Sequence, residues 1–415
     1  MNNWNYEKLS KLCFRIGDGL HGTPSYVEDS GIYFINGNNL KNGWIEITNN
    51  TKCVSQEELK NNFIELNENS LLLSINGTLG SMAFYRNEKV MLGKSSAYLN
   101  FKSPINKFYY YYFQLPFVQE YFFNVATGST IKNLSLKSIQ DFEVPVPEFN
   151  VWNSIASVLS ALDSKIELNN LINNELEMMA KTLYDYWFVQ FDFPDKNGKP
   201  YKTSGGKMVW NEELKREIPE GWEVEKIKSI IEVKDGTHDS PKPKSEGYRL
   251  ITSKNLQVSG LDFDNANFIS AEDYLSIIKR SNVETGDILF SMIGNIGTIY
   301  KIEEKEINFA IKNVALYKTS RMQDHKNYIY MFLKSIDMDR YMKNVISGSI
   351  QKFIGLNSLR ETPILSNEVL IKKYNEITFS IFEKLENLKL ENQKLAELRN
   401  WLLPMLMNGQ VKVEN

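Results

Sequence analysis

Asp235-Gly236-Thr237-His238-Asp239-Ser240-Pro241 is a second copy of Asp18-Gly19-Leu20-His21-Gly22-Thr23-Pro24, at an offset of 217 (235 against 18). The same offset carries Ser74-Ile75-Asn76-Gly77 and Gly80 onto Ser291-Met292-Ile293-Gly294 and Gly297. Trp4 with Glu7-Lys8 falls on Trp222 with Glu225-Lys226, and Gly128-Ser129 with Lys132 falls on Gly348-Ser349 with Lys352. The order is kept while the offset drifts, as small loop insertions would cause. Solenoid repeats run to only ~20–50 residues. A period this long means a whole domain with its connector, used twice, so whatever the protein grips it grips at two places.

The 415 residues can bury two or more separate cores. Net charge is −3 and the isoelectric point about 5.9, whereas phosphate-binding domains are usually basic. Nucleic-acid binding would therefore need charge sorted onto one face or supplied by partners. Tyr and Phe are abundant, which serves either stacking or core filling. The two cysteines, Cys13 and Cys53, make neither a disulfide framework nor a zinc spacing, so a reducing compartment is expected. Met1-Asn2-Asn3-Trp4-Asn5-Tyr6-Glu7 has no basic stretch leading into an apolar core, and no run reaches the ~18 apolar residues of a membrane span. A cytoplasmic protein is expected.

Residues 1–150 read as one mixed domain. Ile32-Tyr33-Phe34-Ile35 and Ser70-Leu71-Leu72-Leu73-Ser74-Ile75 are short apolar runs bounded by turn residues, hence strands. The aromatic stretch Phe108 to Phe123 predicts helix interrupted at Pro116, and Val144-Pro145-Val146-Pro147 an extended exit. From Asn153 to Phe191 there is neither proline nor glycine. Steps of three and four connect Ile155, Leu159, Leu162, Ile166, Asn169, Asn173, Leu176, Ala180, Leu183 and Trp187, a heptad seam with two polar interruptions. Such a helix, over 151–191, would run ~55 Å at 1.5 Å per residue, the length of a spacer. Residues 192–220 are polar and rich in Pro and Gly, the composition of a linker. Residues 221–365 repeat the first domain. A second long helix over 366–408 carries apolar Ile377, Ile381, Leu385, Leu388, Leu395, Leu398 and Leu402, with Asn392 in the seam. Narrow stripes interrupted by Asn predict that the two helices pair. The expected fold is α+β: two similar mixed α/β domains separated by two long antiparallel helices forming a coiled coil, in pseudo-twofold arrangement with the domains at opposite ends.

Several loops are candidates for contact with phosphates or base edges. His21, Thr23 and His238 sit in the repeated Asp-Gly loops, which read first as structural turns and, as the sharper alternative, as loops presenting His, Thr and backbone N–H to phosphates or base edges. Asp and His alone recur there, too few ligand types for a metal site. Gly93-Lys94-Ser95 looks like the tail of a phosphate-binding loop, but position 88 is Glu where that motif needs Gly. Lys94, and Lys312 at an offset of 218, are then solvated strand residues or backbone-phosphate contacts. Gly77-Thr78-Leu79-Gly80 and Gly294-Asn295-Ile296-Gly297 read as tight turns. Ser129, Lys132 and Asn133, with Ser349, Gln351 and Lys352 in the second copy, place base-reading residue types beside a flexible glycine. Lys242 and Lys244 add charge that the first copy lacks, having Ser25 and Tyr26 after its turn. No motif of a catalytic site or glycine-rich cofactor loop is present.

Leu183-Tyr184-Asp185-Tyr186-Trp187-Phe188-Val189-Gln190-Phe191-Asp192-Phe193-Pro194 resembles the end of the central conserved region of type I restriction–modification specificity subunits. Pro200-Tyr201-Lys202-Thr203-Ser204-Gly205-Gly206, with Ile218-Pro219-Glu220-Gly221-Trp222, is similar to that family's approach to its second target-recognition domain. Leu398-Arg399-Asn400-Trp401-Leu402-Leu403-Pro404-Met405-Leu406-Met407-Asn408-Gly409-Gln410-Val411 resembles its C-terminal end. The resemblance implies a non-catalytic subunit whose two domains each read one half of a split double-stranded DNA target. It implies helices that set the gap and dock two modification subunits, which bring S-adenosylmethionine. Restriction and translocase subunits would bring ATP and Mg; this chain itself would hold no cofactor. Because the two copies differ at their contact loops, the target is expected to be asymmetric. The alternatives are a self-contained DNA methyltransferase and a coiled-coil assembly scaffold.

Overall fold

The computed structural model describes residues 4–257, 260–348 and 352–413. The chain divides into two compact units, Met1–Leu168 with Glu391–Asn415, and Asn169–Leu390. Each unit thus holds one copy of the mixed domain and one half of each long helix.

In the first unit, an antiparallel sheet orders its strands Cys13–Asp18, Ser96–Phe101, Ser70–Ser74 and Met82–Phe84. A second sheet runs Val90–Leu92, Tyr33–Ile35, Cys53–Val54 and Tyr26–Val27, with its first two strands parallel. The second unit repeats the first sheet as Val233–Asp235, Val314–Tyr317, Ile288–Ser291 and Ile299–Lys301. It repeats the second sheet as Asn267–Ile269, Tyr248–Thr252 and Phe309–Lys312, again with a parallel pair. Entry and exit strands also pair alike, Asn5–Lys8 with Glu143–Val146 and Glu223–Lys226 with Pro363–Ser366.

The aromatic stretch forms helices Asn106–Tyr112 and Pro116–Val125, and Pro116 starts the second, where its missing N–H costs nothing. Phe108 to Phe113 are all buried, so this aromatic surplus fills the core. Tyr109 donates to the Pro145 carbonyl at 2.9 Å and its counterpart Tyr328 to that of Leu365 at 2.6 Å, tying the core helix to the exit strand in both copies.

The central helix spans Phe149–Tyr184, and the C-terminal helix Glu368–Met407. They pair within each unit. In the first, Arg399 Nη1 donates to Asp163 Oδ1 at 2.7 Å and Lys165 lies 3.5 Å from Glu391. In the second, the Tyr374 hydroxyl donates to the Ala180 carbonyl at 2.9 Å. Numbers rise along one helix as they fall along the other, so the pair is antiparallel. Every step of the seam from Ile155 to Trp187 is buried or half-buried, and Asn169 is wholly enclosed. A π turn at Asp185–Val189 ends the central helix, and Phe191 takes a left-handed conformation (φ 67°). The wider turn lets Tyr184, Trp187, Phe188 and Phe191 all enter the second core.

Two expectations for the C-terminal helix are corrected. Ile377 is 46% exposed and Leu398 42% exposed. The buried stripe passes instead through Ile371, Tyr374, Thr378, Phe382, Leu385 and Leu388. Tyr374 and Thr378 are polar enough to be passed over in an apolar stripe, yet Thr378 satisfies its hydroxyl on the Tyr374 carbonyl (2.8 Å). The 192–220 segment also carries structure of its own. Met208–Asn211 pairs with Arg216–Pro219 as a hairpin, and Phe193 and Ile218 are buried in the second core. Among the described residues no helix is long and apolar enough to cross a membrane.

Candidate nucleic-acid interface

Asp18 pairs with Ala97 and Ser74 with Ser96, so three strand ends of the first sheet meet at one edge. Loops 18–24, 76–80 and 93–95 adjoin that edge, and the tip 127–133, which joins two helices, is brought beside them by the bridge between Asn76 and Asn133. In the second unit Asp235 pairs with Ala315 and Ser291 with Val314, which gathers the corresponding loops in the same way. Antiparallel pairing therefore brings together segments more than a hundred residues apart in sequence.

The Asp-Gly-x-His loop is built identically in both copies. Leu20 N donates to the Leu92 carbonyl at 2.8 Å, and Thr237 N to that of Ile311 at 3.0 Å. The loop presses so closely on this strand that a Cβ on Gly19 would lie 2.0 Å from the Leu92 oxygen, and one on Gly236 2.2 Å from the Ile311 oxygen. His21 Nε2 sits 2.8 Å from Asp18 Oδ2, and His238 Nε2 2.7 Å from Asp235 Oδ2. The carboxylate orients the ring, and both imidazoles stay exposed. Beyond this shared frame the copies diverge. Arg280 joins Asp235, and Asn313 Oδ1 lies 3.0 Å from His238 Nδ1.

Lys94 is exposed at the corner between the two sheets. Lys312 is not its counterpart, which corrects the constant-offset alignment. Lys312 bridges Thr237 as Gly93 bridges Leu20, and Ile311 pairs with Ile251 as Leu92 pairs with Ile35. The second copy is one residue shorter at this corner. Gly93 faces Asn36, whose Oδ1 would be 2.3 Å from a Cβ there, while Lys312 faces the smaller Thr252. Lys312 Nζ donates to Ser240 Oγ at 2.6 Å, across its own loop cluster.

Thr127 and Asn133 exchange backbone hydrogen bonds (3.0 and 2.7 Å), closing a tip that exposes Ser129 and Asn133. Lys132 is half-buried there, its Nζ 4.9 Å from the centre of the Phe123 ring. Ser347 and Phe353 close the corresponding tip, with Lys352 exposed. Ser349 and Gln351 lie outside the described residues. Thr23, Lys242 and Lys244 are exposed, and Lys244 N donates to the Phe268 carbonyl at 2.9 Å. Among the described residues no three His, Cys, Asp or Glu gather as a metal site would require.

One loop of the cluster escaped the sequence reading. Asn36-Gly37-Asn38-Asn39 follows the strand Tyr33–Ile35, and Gly37 N donates to Ser95 Oγ at 2.9 Å. The Thr78 hydroxyl donates to the Gly37 carbonyl at 2.7 Å. Its counterpart, Thr252-Ser253-Lys254-Asn255, is held by Ser253 Oγ donating to the Asn313 carbonyl at 3.0 Å. The signal was the pair Asn39-Leu40 and Asn255-Leu256, too short to stand out.

The family model described as type I restriction modification DNA specificity domain matches twice, over residues 25–178 and 219–400. The MjaIX specificity subunit of Methanocaldococcus jannaschii is 26% identical over 326 residues, covering 75% of this chain and 70% of that protein. The HindI specificity subunit of Haemophilus influenzae is 22% identical, covering 70% and 74%. The crystal structure of the S subunit of a type I restriction–modification system from M. genitalium superposes with a TM-score of 0.56 at 19% identity, covering 98% of this chain and 97% of that one, a likeness of fold. With each of its two copies matched by the family model, the chain belongs to the type I restriction–modification DNA specificity family.

Proposed function

We propose that this chain gives a type I restriction–modification complex its sequence preference on double-stranded DNA. It is a recognition subunit rather than an enzyme. Each domain reads one half of an asymmetric, split target, and the paired helices set the gap and dock two modification subunits. S-adenosylmethionine then belongs to those subunits, and ATP with Mg to restriction and translocase subunits, all in the cytoplasm. The observation that supports this most is the duplicated loop cluster. In each unit one sheet edge presents an Asp-held His, at least one exposed lysine and an amide-bearing or basic tip, the groups that contact phosphates and base edges. His21, Thr23, Lys94, Ser129, Lys132 and Asn133 serve one half-target; His238, Lys242, Lys244, Lys312, Ser349, Gln351 and Lys352 serve the other.

Methylation-sensitive sequencing of a genome that carries the complete system tests the reading. A split, asymmetric motif is expected, and methylation without a split motif would refute it. Lys242→Ala with Lys244→Ala should weaken binding on all sequences and make its salt dependence shallower. An unchanged salt slope would remove these two lysines from the interface.

A further inference from the structure

The loops Asn36–Asn39 and Thr252–Asn255 share a frame whose exposed position differs. In the first, Asn36 N donates to Asn39 Oδ1 at 3.0 Å, and Asn39 Nδ2 to the Glu46 carbonyl at 3.0 Å. In the second, Thr252 N donates to Asn255 Oδ1 at 3.0 Å, and Asn255 Nδ2 to the Asp262 carbonyl at 3.1 Å. One asparagine therefore spends both its acceptor and its donor on holding the same turn in each copy. The residue before it is left outside this network. Asn38 and Lys254 are exposed, and neither side chain has a partner among the described residues.

The frame also places these residues. Side-chain bonds to Ser95 and Thr78 fasten the first loop to the corner that carries Lys94 and to the Gly77 turn. A bond to the Asn313 carbonyl fastens the second beside the residue that meets His238. Asn38 further lines an open concavity of about 200 Å³ with Tyr26, Asn36, Asn50 and Lys52. A turn that is costly to alter in its frame and free at its tip suits a position that sets specificity. The two tips carry different chemistry. An asparagine amide matches the acceptor and donor of adenine, and a lysine ammonium matches the two acceptors of guanine.

We propose that Asn38 and Lys254 are specificity-determining residues, each reading a base edge in its own half of the DNA target, with adenine suited to Asn38 and guanine to Lys254. This rests on the DNA-reading function proposed above. The test is selection from a randomised duplex library by the full chain, alone and assembled with its modification subunit, followed by sequencing. Asn38→Ala should relax a single base pair of one half-target, with roughly a five- to hundred-fold loss of preference there, and Lys254→Ala one base pair of the other half. Asn38→Lys should move the preferred base at that position toward guanine. Both residues are exposed and outside the frame, so circular dichroism should show unchanged folding. If the wild type selects a split motif and both alanine variants select the same one, the inference fails while the proposed function stands. A uniform loss of affinity with the motif intact also overturns it, because it marks phosphate contacts. A wild type that selects no motif brings down both.

Discussion

The two domains fill one buried position with opposite chemistry. In the first, Ser70 Oγ donates to Asn100 Oδ1 at 2.7 Å, and Asn100 Nδ2 donates to the Glu65 carbonyl at 2.7 Å. In the second the same neighbours are Asp287 and Lys318. Ala97 pairs with Asp18 as Ala315 pairs with Asp235, which sets Lys318 in the place of Asn100. Lys318 is 1% exposed and Asp287 0%, and Lys318 also reaches Glu284 at 2.8 Å and donates to the Asn282 carbonyl at 2.9 Å. One fold thus tolerates either a neutral pair or an ionic cluster, provided every buried polar group finds a partner. What changes between the copies is the response to mutation and to pH.

The largest effect is expected at the ionic cluster. Lys318→Met leaves the enclosed Asp287 without its cation, which should cost the second domain about 3–5 kcal/mol. Denaturant unfolding followed by hydrogen exchange in Ile288–Ser291 reads it, and a loss under about 1 kcal/mol would show that the cluster is not buried in solution. Adding Asp287→Leu should recover much of the loss, since removing both charges removes the unpaired one. The next effect should be symmetric. Gly19→Ala and Gly236→Ala each drive a Cβ into a backbone carbonyl, and about 1–3 kcal/mol is expected from either. Unequal losses would mean the two loops do not share their frame. Asn100→Ala removes a neutral partner and should cost the first domain about 1–2 kcal/mol, well short of the Lys318 variant. Equal costs would erase the contrast between the two domains.

The smallest effect is in pH. The hydrogen bond from Lys318, aided by Arg321 and Ser320, holds the Glu284 carboxyl at about 2 against an ordinary 4.5. The folded-state value is the lower one, so this contribution is complete above pH 4.5 and disappears as pH falls toward 2. Glu284 is 38% exposed, and solvent screening keeps the term small. Exchange protection of Ile288–Ser291 should therefore decline slightly more than that of Ser70–Ser74 across this window. In a Glu284→Gln protein, which lacks the titrating carboxyl, that difference should vanish, and its persistence would assign it to other groups.

The seam from Ile155 to Trp187 was legible because helix periodicity is local: each residue's face follows from its neighbours a turn away. The break at Pro116 was legible for the same reason. Ile377 and Leu398 misled because apolar character alone does not set the face; packing turned Tyr374 and Thr378 inward instead. The pairing of Lys94 with Lys312 failed because one residue is missing at a corner, and strand register alone reveals it. The Asn36–Asn39 loop stayed hidden because its repeated part is an asparagine whose hydrogen bonds, unlike a helix stripe, leave no periodic trace.

The duplication, the two long helices and the loops that carry the candidate contacts are all written in residue order and spacing. Spacing cannot say that the last stretch of the chain, Glu391 onward, completes the unit begun by the first domain, or that four distant loops gather beside one sheet edge. Nor can it say that Lys318 replaces Asn100. Those facts depend on contacts between residues far apart in sequence, which form when strands pair and cores close.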